Sequence, residues 1–401
     1  MTGGVEGLDP VTEAKGKAVE ILLHNLHGPY GGLPRTAGWG YPEPYTRDLM
    51  ISSLGFLGSG NEELSNGIRD VLIALAQAQT PEGLIPSLAS DPTDLGSSDT
   101  TPLFLIGLAF YRKAIGDAGF LQDAAQKALH WMSAQSPDLS GLVGQLPTSD
   151  WRDEQWVLGF GLYLNTLVYL STVLWGQTGQ ARQINRLVNL PGLRGKCLGH
   201  QTHEGLRVPG KPYYALWAYK VYRNERFDLL GNSLAILCGL ASNHLAREML
   251  AWVEGRCEEM RARGDLAVNL PPCLFPFILD SDEDWHARMR LFNQPGDYHN
   301  GGIWPFICGF YIAALVHCGE FRLAEEKLMA LTGLIQHPKD PVLRFGFNEW
   351  YKAQDGLPKG QDWQTWSAAM YIYAVTAVER RRAPFFADLY NDGENVTTSM
   401  L

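Results

Sequence analysis

Six times along this 401-residue chain a short polar, aromatic-rich loop runs into a helix that is apolar on nearly every side. The stretches are "YTRDLMISSLGFL", "SSDTTPLFLIGLAFY", "DWRDEQWVLGFGLYLNTLVYL", "RFDLLGNSLAILCGLAS", "YHNGGIWPFICGFYIAALV" and "DWQTWSAAMYIYAVTAV", spaced roughly 50 to 80 residues apart. A helix apolar all round has no face to offer water and must be buried. Between these six lie stretches such as "IRDVLIALAQAQ", "AAQKALHWMSAQ" and "LAEEKLMALTGLIQ". Their apolar residues recur every three or four positions, which suits a helix with one wet side. Buried helices alternating with half-buried ones predict an all-α fold, a toroid of six helical hairpins known as the (α/α)6 barrel. The spacing is too irregular for a solenoid of identical repeats. In such a toroid the inner helices all begin on one face, so their polar loops collect around one central cavity.

With 45% hydrophobic, 11% aromatic and 19% charged residues the chain has the makings of a large core. No Pro-, Gly- or Ser-rich linker divides it, so residues 1–401 are expected to form one catalytic domain, with 380–401 as a C-terminal tail folded against the outside. A net charge of -10 argues against a nucleic-acid partner, whose phosphates demand a basic footprint. The N-terminus lacks the basic-then-apolar layout of a signal peptide, and no apolar run approaches a membrane span. The expectation is a cytoplasmic protein with no membrane partner and a small neutral or cationic ligand. An open rim leaves room for a homo-oligomer. Cys197, Cys238, Cys257, Cys273, Cys308 and Cys318 are scattered without a CxxC and read as free thiols. The sequon at Asn395 is a pattern match alone.

His200 and His203 in "GHQTHEG" sit three apart, but no HExxH or third ligand accompanies them, so no metal site is expected. There is no GxGxxG after a strand, no P-loop and no GxSxG, and no cofactor is implied. What remains is carboxylates placed among aromatics. Asp99 stands where it could cap the second inner helix or face the cavity. Glu349 is flanked by Phe347, Trp350 and Tyr351, poor company for a solvated charge. Cleaving a glycosidic bond takes two carboxyl groups, one to protonate the leaving oxygen and one on the other side of the anomeric carbon. Asp99 and Glu349 are a natural pair. A gap of roughly 6.5 to 9.5 Å between them would admit a water and give inversion. Asp48 and Asp153 each adjoin an arginine and read as hydroxyl grips, ion pairs or caps; Asp297 precedes a tyrosine and a histidine.

These residues carry a resemblance. The Arg47–Asp48 pair opening the first inner helix, Asp99 opening the second, "FDLLGNSLAIL", "YHNGGIWPF" and "NEWY" with "QTWSAAMYI" are similar to the motifs of the alkaline/neutral invertases. Those sucrose hydrolases belong to a wider clan with trehalases, processing α-glucosidases and mannosylglycerate hydrolases. The resemblance runs from about residue 40 to 380. It implies an inverting glycoside hydrolase acting on a small α-glucoside, sucrose first, with Asp99 as general acid and Glu349 as the base that activates water. Arg47, Asp48, Trp151, Arg152, Asp153, His299, Asn300, Trp304, Tyr351, Gln364 and Trp366 would form the pocket. The family usually follows its acid with Ser-Gly-Leu-Trp-Trp, whereas Asp99 is followed by Thr100, Thr101, Pro102, Leu103 and Phe104, and the chain is shorter than typical members. Glucosylglycerol, glucosylglycerate, mannosylglycerate and trehalose therefore stand beside sucrose as substrates. From other classes, a histidine-based sugar epimerase or isomerase and a non-catalytic sugar-binding protein remain as alternatives.

Overall fold

The structure is a computed structural model that describes residues 9–91, 93–137, 140–190, 205–220 and 222–390. Cys197, His200, His203, the Asn395 sequon and the last residues of the tail lie outside the described residues.

Six helices are buried along almost their whole length: α2 (Thr46–Gly58), α4 (Thr100–Ile115), α6 (Leu162–Leu174), α8 (Leu229–Leu237), α11 (Pro305–His317) and α13 (Thr365–Arg380). They coincide with the six all-apolar stretches. Between them run helices that bury one stripe: α1 (Pro10–Asn25), α3 (Glu62–Ala78), α5 (Gln122–Ser133), α7 (Thr178–Val188), α9 (Asn243–Arg263) and α12 (Phe321–Ile335). A single turn, α10 (Met289–Phe292), lies in the loop before α11. The buried helices pack in sequence, α2 on α4, α4 on α6, α6 on α8, α8 on α11 and α11 on α13, and α13 returns to α2. The contacts close a ring.

Closure depends on small residues. A Cβ on Gly55 of α2 would lie 2.0 Å from the Ala369 carbonyl oxygen of α13, and one on Gly309 of α11 would lie 2.7 Å from that of Met370. Both neighbours of α13 thus touch its backbone, which no larger side chain permits.

The all-α expectation is incomplete. Four antiparallel strands, β1 (Phe160–Gly161), β2 (Ala215–Tyr219), β3 (Tyr222–Asp228) and β4 (Leu274–Phe275), form a sheet in that order. A two-residue pair, β5 (Trp350–Tyr351) and β6 (Pro358–Lys359), makes a second. The "RFD" read as a helix opening ends β3, where Phe227 and Asp228 pair with Phe275 and Leu274. Two-residue strands carry no period, and β2 is buried on both faces, which erases the alternation that would reveal it.

The tail also departs from expectation. Phe385 and Phe386 pack on Phe110 of α4 with ring centroids 5.2 and 5.7 Å apart. Phe386 then joins Met50, Leu54, Ile106, Leu167 and Phe310 around an apolar cavity of about 20 Å³ inside the ring. In the described part of the tail, up to residue 390, two adjacent phenylalanines thus turn inward instead of lying along the outside. Cys238, Cys257, Cys273, Cys308 and Cys318 are free thiols. Among the described residues no helix is long and apolar enough to cross a membrane.

Gly55→Ala is expected to destabilise the fold by about 3 kcal/mol through forced separation of α2 and α13. Gly333→Ala, on α12 with open space at its Cβ, should instead add about 0.5 to 1 kcal/mol. Denaturant unfolding of the two variants checks the contrast.

Candidate active site

The N-terminal ends of α2 and α4 bring the first group of polar side chains together. Asp99 is the residue before α4, yet its side chain makes no capping bond. Its carboxylate is 0% exposed and turns to α2, where Arg47 Nε donates to Oδ2 at 2.6 Å. Tyr163 of α6 donates its hydroxyl to the same oxygen at 3.3 Å, and Ser97 donates to Oδ1 at 2.6 Å. Arg47 also reaches the Ser97 hydroxyl at 2.8 Å and the Asp150 carbonyl at 3.2 Å. Capping is therefore not what Asp99 does.

Asp48 follows Arg47 on the first turn of α2 and is 6% exposed. Burial pushes its carboxyl up to about 7; the Arg47 charge opposes the rise, while Asp99 and Asp153 add to it. Glu349, 8% exposed on the loop entering β5, is pushed up to about 8, first by burial and then by the charge of Asp48. Gly360, at φ +65°, leaves room for it: a Cβ there would fall 2.2 Å from Glu349 Oε2. Asp153 stands at the rim, with its side chain 62% exposed.

An aromatic cluster completes the site. His299 stacks on Tyr298 at 3.9 Å and on Trp304 at 5.7 Å, and Trp151 meets it edge-on at 5.0 Å. Trp366 lies flat on Phe306 at 4.1 Å. Burial, reinforced by the charges of Arg152 and Arg47, holds the His299 imidazole well below its ordinary value, so the ring is neutral. Its 3.8 Å approach to Asp153 is thus no ion pair. Both ring nitrogens of His299, the indole nitrogens of Trp151 and Trp366, and the Gln364 side-chain oxygen are buried without a hydrogen-bond partner. Buried polar atoms in a folded protein are normally bonded, and a group of orphans around one cluster marks where a polar ligand belongs.

Other expected pocket residues lie in the frame beneath. Asn300 spends its amide on the Ile278 backbone and the Asn293 carbonyl. Tyr351 is fully buried, with its hydroxyl bonded to Asn348 and its backbone to Ile303. Trp304 is buried and donates to the Tyr298 carbonyl at 3.0 Å. Arg152 is locked between Asp228 at 2.5 Å and Asp150 at 3.3 Å, with its guanidinium against the Trp151 ring. These four position their neighbours.

Sequence reasoning passed over Ser97, Tyr163 and Tyr41. The Tyr41 hydroxyl is pushed up to about 12, chiefly by the charge of Glu349, which places it beside that carboxyl. "GWGYPEPY" was legible as a rim loop but not as a wall of the site. A backbone signal does mark three of the loops. Tyr298, Phe347 and Trp363 adopt φ values of 43°, 43° and 57°, immediately ahead of "HN", "NE" and "QT" with His299, Glu349 and Gln364. Left-handed backbone at bulky residues costs of order 1 kcal/mol each and clusters where a site over-determines the chain. Among the described residues no group of three or more His, Cys, Asp or Glu side chains is placed to hold a metal ion.

Glu349 has its folded value above its unfolded one, so the folded chain binds that proton more tightly and stability falls as pH rises from about 4.5 to about 8. Glu349→Gln should match the wild type below pH 4.5 and exceed it by about 2 to 4 kcal/mol above pH 8. Melting temperatures across that range test the sign.

Residues 220–380 match the family model described as alkaline and neutral invertase. That span holds His299, Glu349, Gln364 and Trp366 and leaves out Asp48 and Asp99. Neutral/alkaline invertase 1, mitochondrial, of Oryza sativa subsp. japonica is 28% identical over 171 residues, 41% of this chain and 25% of the relative. Cytosolic invertase 1 of the same plant is 27% identical over 159 residues, 38% of this chain and 26% of the relative. The chain thus spans about a quarter of the length of the curated relatives it matches. A GH63 mannosylglycerate hydrolase from Thermus thermophilus, in complex with Tris and D-glycerate, superposes with a TM-score of 0.62 at 15% identity, covering 90% of this chain and 99% of that one. In sequence the chain resembles the alkaline and neutral invertases from residue 220 to 380, and in fold it resembles a GH63 glycosidase over 90% of its length.

Proposed function

We propose that this chain is a single-domain, cytoplasmic (α/α)6-barrel glycoside hydrolase that cleaves a small α-glucoside with inversion. The observation that carries the reading is the burial of two carboxyl groups, Asp99 and Glu349, and of a group of orphaned polar atoms among aromatics. The hydrogen bonds of the site leave Asp99 and Glu349 unjoined, and Asp48 is an electrostatic neighbour of both. Asp99 protonates the glycosidic oxygen as the bond to the anomeric carbon breaks. Glu349 takes a proton from the water that attacks the opposite face. His299, Trp151, Gln364 and Trp366 hold the sugar hydroxyls, with Asp48 and Asp153 as further acceptors.

Sucrose is the first substrate to test, because the sequence match is to invertases. The mannosylglycerate hydrolase of similar fold keeps glycerate glycosides in the comparison. An epimerase built on paired histidines is less well served, since the site's histidine, His299, is neutral and buried.

Purified protein followed by NMR with sucrose, trehalose, glucosylglycerol, glucosylglycerate and mannosylglycerate should release β-glucose first from one of the α-glucosides. Asp99→Asn and Glu349→Gln should each lower kcat by about 10²- to 10⁴-fold, the usual range for losing a general acid or base. The base must be ionised to act, so kcat/KM should fall as pH drops below about 8. First release of α-glucose, or unimpaired variants, would overturn the assignment.

A further inference from the structure

Two stretches far apart in sequence meet in the candidate site. Trp151 and Asp153 come from the loop before α6, and His299 comes from the loop before α11. His299 Nε2 lies 3.8 Å from Asp153 Oδ1, and the Trp151 ring stands edge-on to the imidazole at 5.0 Å. Neither imidazole nitrogen has a hydrogen-bond partner, so the side chains themselves do not set this spacing.

A buried amide lies between the two loops. Asn293 is 1% exposed, and its Nδ2 donates to the Glu154 carbonyl at 2.8 Å, one residue past Asp153. Its Oδ1 accepts from the His299 N–H at 2.9 Å. Asn293 is itself fixed, for its own N–H donates to the Met289 carbonyl at 2.8 Å at the end of α10, and its carbonyl accepts from the Asn300 amide at 3.0 Å. We infer that Asn293 is a positioning residue, a cross-brace that sets the gap between His299 and Asp153 in which a sugar hydroxyl is gripped. The inference rests on the proposed sugar-binding role of those two side chains.

The chemistry of the amide suits the task. A backbone carbonyl needs a donor and a backbone N–H needs an acceptor, and asparagine offers both from one short planar group. Removing it leaves both without that partner, and the loops must shift to find others. Asn293 also holds His299 by the backbone, so the imidazole nitrogens stay open to a ligand. The other ties between these segments lie further out. Arg288 Nη2 donates to Glu154 Oε1 at 2.6 Å from a side chain that is 59% exposed, and Trp156 stacks on His286 at 4.9 Å. An exposed ion pair is weak and screened by salt, so the buried amide is the tie that fixes the gap.

Calorimetric titration with glucose at pH 5, and steady-state kinetics at pH 8 on the best substrate, test the brace. Asn293→Leu keeps the bulk and loses both bonds; it should raise the glucose Kd and the KM tenfold or more, with kcat within about threefold of wild type. Asn293→Asp, whose protonated carboxyl can make both bonds, should bind glucose at pH 5 within about threefold of wild type. Arg288→Ala, which removes the exposed clasp alone, should stay within about twofold. Should Asn293→Leu fail to fold, Asn293→Ser takes its place with the same expectation, because a short hydroxyl cannot span both groups. A merely structural role would lower kcat and the number of binding sites and leave KM and Kd alone, and that result would overturn the brace. So would an unchanged Kd in Asn293→Leu, no recovery in Asn293→Asp, or an equal loss in Arg288→Ala. Wild-type protein that binds glucose yet cleaves no glycoside would defeat the hydrolase reading, while the glucose titrations still decide the brace; no binding of glucose would overturn both.

Discussion

The contact that the rest of the structure depends on is backbone against backbone, where α13 meets α2 at Gly55 and α11 at Gly309. It joins the first buried helix to the last, more than 300 residues along the chain, and turns a row of helical pairs into a ring. The seam is sewn again by Asn25, which donates to the Trp363 carbonyl at 2.8 Å and to the Thr365 hydroxyl at 3.0 Å. Without closure the loops before α2, α11 and α13 would sit on a strip. With it they face one another, and side chains as distant as Asp48 and Glu349 share one electrostatic environment.

That environment is expensive to maintain. Asp48, Asp99 and Glu349 are all withdrawn from water, and among the described residues an ion pair answers Asp99 alone, through the Arg47 guanidinium. Below them Arg152 pairs with Asp150 and Asp228 in a second fully buried network. Buried ion networks of this kind hold geometry better than they raise stability. Their result is a rigid support for Trp151, on whose ring the Arg152 guanidinium rests. Strained backbone at Tyr298, Phe347 and Trp363 adds to the same local cost, which the large apolar ring around it offsets.

Much of this was written plainly in the sequence. Helices that are apolar all round announce burial, and the polar and aromatic residues singled out in the loops ahead of them, Asp99, Glu349, His299 and Trp366, are buried. The sheet was hidden because β1, β4, β5 and β6 are each two residues long, too short for any period. Side-chain depth was hidden as well. Nothing in "YHNGGIWPF" distinguishes His299, whose nitrogens are orphaned, from Asn300, whose amide is wholly spent on backbone. That difference arises from segments such as Ile278 and Asn293 that fold beneath the motif. Tyr41 was missed for a related reason, since its closeness to Glu349 is created only when the two ends of the chain meet.

The tail that turns under the ring has a consequence for traffic. Phe386 and the inner faces of Met50, Leu54, Ile106, Leu167 and Phe310 leave a void of about 20 Å³, roughly the room of one water molecule and lined with nothing that would hold it. Among the described residues the axis of the ring is therefore plugged, and the vessel has one door. On the proposed reading, whatever enters between the loops leaves between them as well.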